Sequence, residues 1–175
     1  MTARLAFLAG LILAPISAAC GQQVPWSQRG ATIQTVGHTE LTIRYSRPVA
    51  RGRLLFGGVV RWGRIWCPGA DSATTLALST PIRLEGRNLP AGTYSVWALP
   101  DSAGPWTIIL SRAHAVFHTP YPGEQHDQLR LQVTPVDGSH METLAFYFPV
   151  VTQLTATLHL HWGTTVVPLR IEVER

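Results

Sequence analysis

From residue 31 onward, apolar and polar residues alternate in short runs, each closed by glycine, proline or a small polar cluster about every eight to twelve positions. The clearest run is 40–47, with Leu41, Ile43 and Tyr45 on one face and Thr42, Arg44 and Ser46 on the other. Similar runs cover 31–36, 74–80, 82–85, 93–99, 106–111, 128–134, 143–148, 154–162 and 166–174. Turn chemistry separates them at Gly86-Arg87-Asn88, at 100–104 and at Gly163-Thr164-Thr165, the last as a hairpin between the final two strands. No stretch keeps a helical period over three turns. About ten short strands without a helix predict an all-β fold, an antiparallel β-sandwich with jelly-roll or immunoglobulin-like connections. The inward positions should be Leu41, Ile43, Leu76, Leu78, Leu129, Leu131, Val133, Leu144, Phe146, Phe148, Leu158, Leu160, Leu169 and Ile171.

The start of the chain follows a different logic. Arg4, an apolar run over 5–16 and the small residues Ser17-Ala18-Ala19-Cys20-Gly21 have the order of a bacterial export signal. That run is too short for a bilayer, which needs about 20 apolar residues. The expected organisation is a signal peptide over 1–19, a tether over 20–30 and one sandwich domain over 31–175. Two cleavages compete. A cut before Cys20 would let the cysteine carry a lipid and attach the protein to a membrane, and Ala18, Ala19 and Gly21 fit it, but Ser17 stands where a leucine is usual. A cut near Ala19 would release a soluble protein. Both readings place the protein outside the cytoplasm, in the periplasm or cell envelope.

Composition changes this picture in one respect. All 14 basic residues are arginine, so every cation is a planar fork suited to bidentate pairing and to stacking on aromatic rings. Six of them, Arg44, Arg47, Arg51, Arg53, Arg61 and Arg64, fall together beside Trp62 and Trp66, and no acid occurs between Leu41 and Ala70. Alternation turns Arg47 inward with Tyr45. A buried guanidinium needs a partner, which leaves Asp71, Glu40, backbone carbonyls or an external anion. If that partner is buried, Arg47→Ala should cost about 3 kcal/mol or more.

Several of these residues also form an ordered set of motifs. Tyr45-Ser46-Arg47-Pro48, Gly52-Arg53, Phe56-Gly57, the glycine and tryptophan of Gly63-Arg64-Ile65-Trp66, Gly69-Ala70 and Thr74-Thr75 resemble the bacterial family DUF2911. The resemblance continues through 89–95, Asp127-x-Leu129-Arg130 and Trp162 with Val167-Pro168. It implies an exported, mostly β domain without an established activity. The chain departs from the pattern at Arg61-Trp62, where proline and tyrosine are usual, at Cys67-Pro68, and at Asp71, which replaces an asparagine.

Two functional classes follow. One is a non-catalytic module, either structural or binding a small anionic or carbohydrate ligand through Tyr45, Arg47, Arg53, Trp66 and Asp71. Convergence of Tyr45, Arg47 and Asp71 on an open cleft would favour binding. The other is an enzyme or metal protein acting on such a ligand at this stretch or at the histidine-rich region, where His114, His118 and His126 are the candidate ligands. Their spacing matches no standard zinc pattern, so neither metal nor cofactor is called for. His159 and His161 alternate with Leu158, Leu160 and Trp162 and should point to solvent. No G-x-S-x-G elbow or H-E-x-x-H helix occurs, and no catalytic residue is assigned. Nucleic acid is not expected as a partner, because the basic residues gather in one loop.

Overall fold

The computed structural model describes residues 26–174. The signal peptide and Cys20 lie outside the described residues. Ten strands follow: β1 (Gln28–Val36), β2 (Thr39–Arg47), β3 (Thr75–Leu78), β4 (Ile82–Leu84), β5 (Arg87–Leu89), β6 (Gly92–Leu99), β7 (Trp106–Ser111), β8 (Asp127–Val133), β9 (Val136–Val151) and β10 (Thr155–Val173). A single 3-10 turn, Glu124–His126, precedes β8. Gln28 to Gly30, expected as tether, pair with β2 and belong to β1.

Every named strand pairing is antiparallel. One sheet has six strands in the order β1-β2-β3-β6-β7-β8, the other four in the order β5-β4-β10-β9. The sheets face each other, because each has one apolar face to remove from water. Of the expected inward residues, Leu41, Ile43, Leu76, Leu78, Leu129, Leu131, Val133, Leu144, Phe146, Leu158, Leu160, Leu169 and Ile171 are buried in the shared core. Phe148 is half-buried and packs against it.

The expected hairpin at Gly163-Thr164-Thr165 does not form. β10 runs straight through it for 19 residues, and Gly163 takes φ +61 while the register against β9 shifts on both sides. These residues make a bulge instead of a turn, since the long strand β9 supplies pairing partners before and after them. Likewise the turn expected at Gly86-Arg87-Asn88 is tighter. Leu84 pairs with Arg87, so Glu85 and Gly86 make a two-residue hairpin, both at positive φ.

Part of the outer face of the six-stranded sheet, over β6 and β7, is also covered. Trp97 and Ile109 point away from the sandwich core yet are buried in a second cluster with Cys67 and Ala73, against which Ile65, Val116 and Tyr121 pack. Small hydroxyls hold these overlying loops. Ser95 and Ser111 are Cα partners on β6 and β7. The Ser95 Oγ donates to the Ala113 carbonyl (2.8 Å) and accepts from the Trp97 indole N–H (2.8 Å), while the Ser111 Oγ accepts the Ala113 N–H (3.3 Å). Thr42 and Ser46, on the face of β2 opposite Leu41, Ile43 and Tyr45, are buried as well.

Candidate functional site

The arginine-rich connection between β2 and β3 is held by carbonyls and aromatic packing. Arg47 is half-buried, and its Nε donates to the Leu144 carbonyl of β9 at 3.1 Å. Arg53 donates from Nε to the Ala50 carbonyl (2.9 Å) and from Nη2 to the Val49 carbonyl (2.7 Å), closing a turn. Arg51 takes φ +53. Its backbone N–H donates to the Glu142 carboxylate (2.6 Å), and its guanidinium lies 4.8 Å over the Trp26 ring. Trp66 stacks on Trp162 with centroids 6.1 Å apart, and Phe56 sits among Trp62, Trp66, Trp106 and Trp162.

The five residues expected to bind ligand therefore do not converge. Tyr45 is buried, with its hydroxyl accepting the Phe146 N–H. Arg53 and Trp66 line a groove of about 350 Å³ with Trp26 and Arg51. Asp71 is exposed at φ +60 and engages His118 only through its carbonyl, which accepts the His118 N–H at 2.8 Å. Positive φ suits asparagine and aspartate alike. The three candidate histidines part as well. His114 lines one cleft, His118 another groove, and His126 is exposed at the 3-10 turn. Among the described residues no group of three or more His, Cys, Asp or Glu side chains is placed to hold a metal ion. The one described cysteine, Cys67, is buried, and desolvation pushes its thiol up to about 11, away from nucleophilic use.

His159 and His161 also depart from expectation. His161 is only 3% exposed, because Tyr147 and Ser139 of β9 close over it. Its Nε2 lies 3.0 Å from the Ser139 carbonyl, which can only accept, so Nε2 carries the proton and Nδ1 accepts from the Tyr147 hydroxyl at 3.0 Å. His159 is half-buried beside the same tyrosine, ring centroids 5.2 Å apart.

A different cleft carries unspent charge. The β1–β2 hairpin turns at Gly37 and His38, which fixes Arg29 opposite Ser46 and Ala31 opposite Arg44. Those four side chains share the outer face of the sheet, next to Thr75, the Cα partner of Arg44 on β3. The far wall is the 114–117 loop, drawn in by an isolated bridge between Ser72 and Phe117 and by the Ala73 N–H donating to the Val116 carbonyl at 3.0 Å. The enclosed volume is about 650 Å³, within the usual range for small-molecule sites. Arg29, Arg44 and His114 supply cationic or polar donors, Ser46, Ser72 and Thr75 hydroxyls, and Phe117, 56% exposed, an open aromatic ring. No acid lines the cleft, and neither guanidinium has an ion-pair or hydrogen-bond partner among the described residues. Hairpin register alone could have paired Arg29 with the Arg44 face; the 114–117 wall has no such local signal.

A family model described as a protein of unknown function, DUF2911, matches residues 27–171. The chain belongs to the DUF2911 family. No curated protein and no solved structure matches it. The DUF2911 motifs noted above fall largely on scaffold. Arg47 and Arg53 tie down backbone carbonyls, Trp66 packs on Trp162, and the Thr74 hydroxyl donates to the Pro68 carbonyl at 2.6 Å. Asp127 and Arg130 pair at 2.6 Å, and the Tyr121 hydroxyl donates to the same aspartate. That pairing fastens the loop before β8 onto the strand. Arg61 and Trp62, where this chain departs from the DUF2911 pattern, are both exposed.

Proposed function

We propose that this DUF2911 domain is an exported, non-catalytic binding module of the cell envelope whose ligand is a small anion of sugar size. One observation carries the reading: a cleft of about 650 Å³ contains two guanidiniums, Arg29 and Arg44, with no acid in its lining. Two such forks on neighbouring strands match the bidentate geometry of a phosphate or carboxylate. Hydroxyls of Ser46, Ser72 and Thr75 offer further polar contacts, and the Phe117 ring offers an apolar wall for the carbon skeleton. Nothing in the cleft pairs a nucleophile with a base, so binding is the chemistry supported.

The test is thermal denaturation with glucose 6-phosphate, glucuronate and inorganic phosphate, with glucose as the neutral control. A ligand at a hundred times its Kd stabilises a folded protein by about 2.7 kcal/mol, which is readily seen as a raised midpoint. The expected result is a rise with at least one anion, none with glucose, and loss of the rise in Arg29→Ser and Arg44→Ser. Both arginines are exposed, so the variants should fold. No rise with any anion, or a rise unchanged in both variants, would remove the cleft from consideration.

A further inference from the structure

The arginine-rich connection presents a second surface, separate from the cleft. Its inward residues are fixed: Leu55 and Val60 are buried and Phe56 packs among the tryptophans. The backbone folds back on itself, with the Val59 N–H donating to the Leu54 carbonyl (3.0 Å) and the Gly57 N–H to the Val60 carbonyl (2.8 Å). An added Cβ at Gly58 would lie 2.3 Å from the Leu54 carbonyl oxygen, so this turn tolerates only glycine. A rigid base thus pushes apolar side chains outward. Leu54 is 72% exposed, Val59 44% and Trp62 40%, and Trp26, which shares a groove with Val59, is 83% exposed.

Cations surround these residues. Arg51, Arg53, Arg61 and Arg64 are all exposed, and no acid occurs in the chain from Leu41 to Ala70. Of the acids brought near from other segments, Glu142 is engaged by the Arg51 backbone N–H and by His140, Asp101 accepts the Ala103 and Gly104 N–H groups, and Asp137 lines a groove with Asp101 and Trp62. Isolated exposed apolar residues are ordinary on a protein surface. Four of them on or against one loop that carries four exposed arginines and no acid of its own have the chemistry of an interfacial anchor. Tryptophan and leucine enter the headgroup boundary while arginines meet lipid phosphates.

We infer that this loop is a docking surface for an anionic phospholipid bilayer. Charge complementarity is one support. The other is where the described chain starts: Trp26 lies on this surface under Arg51, six residues after Cys20, a reach of at most about 20 Å. A lipid on Cys20 would hold this end of the domain beside the bilayer, and the loop binds there whether or not that lipid is attached. None of the residues lining the Arg29/Arg44 cleft belongs to this surface.

The experiment uses the chain from Gly21 onward, which lacks the apolar leader and Cys20. All ten strands and both hydrophobic clusters lie within Gln28–Val173, so this chain keeps the fold. It is co-sedimented with phosphatidylcholine vesicles containing about 30% phosphatidylglycerol, and with pure phosphatidylcholine. Expected are binding to the anionic vesicles only, release in about 0.5 M NaCl, and at least about tenfold weaker binding in Leu54→Ser/Arg61→Ser with an unchanged melting temperature. Should that pair lower the melting temperature, Arg61→Ser/Arg64→Ser provides the same comparison. The proposal is overturned by absence of co-sedimentation, by equal binding to neutral vesicles, or by variants that bind as the parent does.

Discussion

Tyr45 on β2 and Phe146 on β9 join the two sheets. The Phe146 backbone N–H donates to the Tyr45 hydroxyl at 3.1 Å, and the two rings meet edge to face with centroids 4.9 Å apart. The contact is buried, so the amide has no water to turn to. Tyr45→Phe keeps the ring packing and strands that amide, at an expected cost of about 1–3 kcal/mol. Urea denaturation of the variant reads the loss directly; an unchanged midpoint would mean that the amide finds another partner.

For Arg47 the structure lowers the expectation drawn from the sequence. Its partner is the Leu144 carbonyl and its guanidinium is half-buried, so removal leaves no stranded charge. Arg47→Ala should cost about 1 kcal/mol, with some added loss because the arginine stem covers Gly30. A measured loss of about 3 kcal/mol or more would indicate a buried ionic partner after all.

Gly163 and Gly52 offer a matched pair. Both have positive φ, +61 and +67. A Cβ on Gly163 would stand 2.8 Å from the Leu55 side chain, whereas at Gly52 nothing lies within 4 Å. Gly52→Ala therefore reports backbone strain alone, about 1 kcal/mol. Gly163→Ala should cost measurably more, because the buried Leu55 side chain also has to give way. Denaturant midpoints of the two variants compare them; equal losses would refute the steric part.

Burial holds the His159 imidazole below its ordinary value, and nearby His161 adds to the effect. The folded protein therefore binds fewer protons than the unfolded chain in the window below about 6.5. Stability from this group is complete above that window and declines as pH falls through it. Melting temperature should drop between about pH 7 and pH 5, and His159→Gln should flatten that part of the profile. A slope identical in the variant would assign the effect to other groups.

The short-period alternation was enough to read the fold class, the inward face of β2 and thirteen of the fourteen expected core positions. It failed where a local pattern has two structural solutions. Gly163-Thr164-Thr165 carries turn chemistry, and whether such residues reverse a strand or bulge it depends on the partner strand. His161 obeys its alternation and points outward, yet Ser139 and Tyr147 cover it. The same applies to Trp97 and Ile109, which alternate outward and are buried by loops far away in sequence.

The site was less legible than the fold. Clustering in sequence drew attention to the arginines between 44 and 64, but a strand sends alternate side chains to opposite faces and a long loop scatters its members. Arg44 reaches the cleft, Arg47 the sheet junction, and Arg51 and Arg53 the loop end.

Taken alone, the amino-acid order determined a two-sheet β domain, a family and an excess of guanidinium over carboxylate in one segment, since all of these follow from local period, motif and composition. Which arginines remain unpaired, and which loops close over them, was decided only in three dimensions. Pairing and burial are relations between residues such as Arg29, Arg44 and Phe117 that the chain separates and the sheet register brings together.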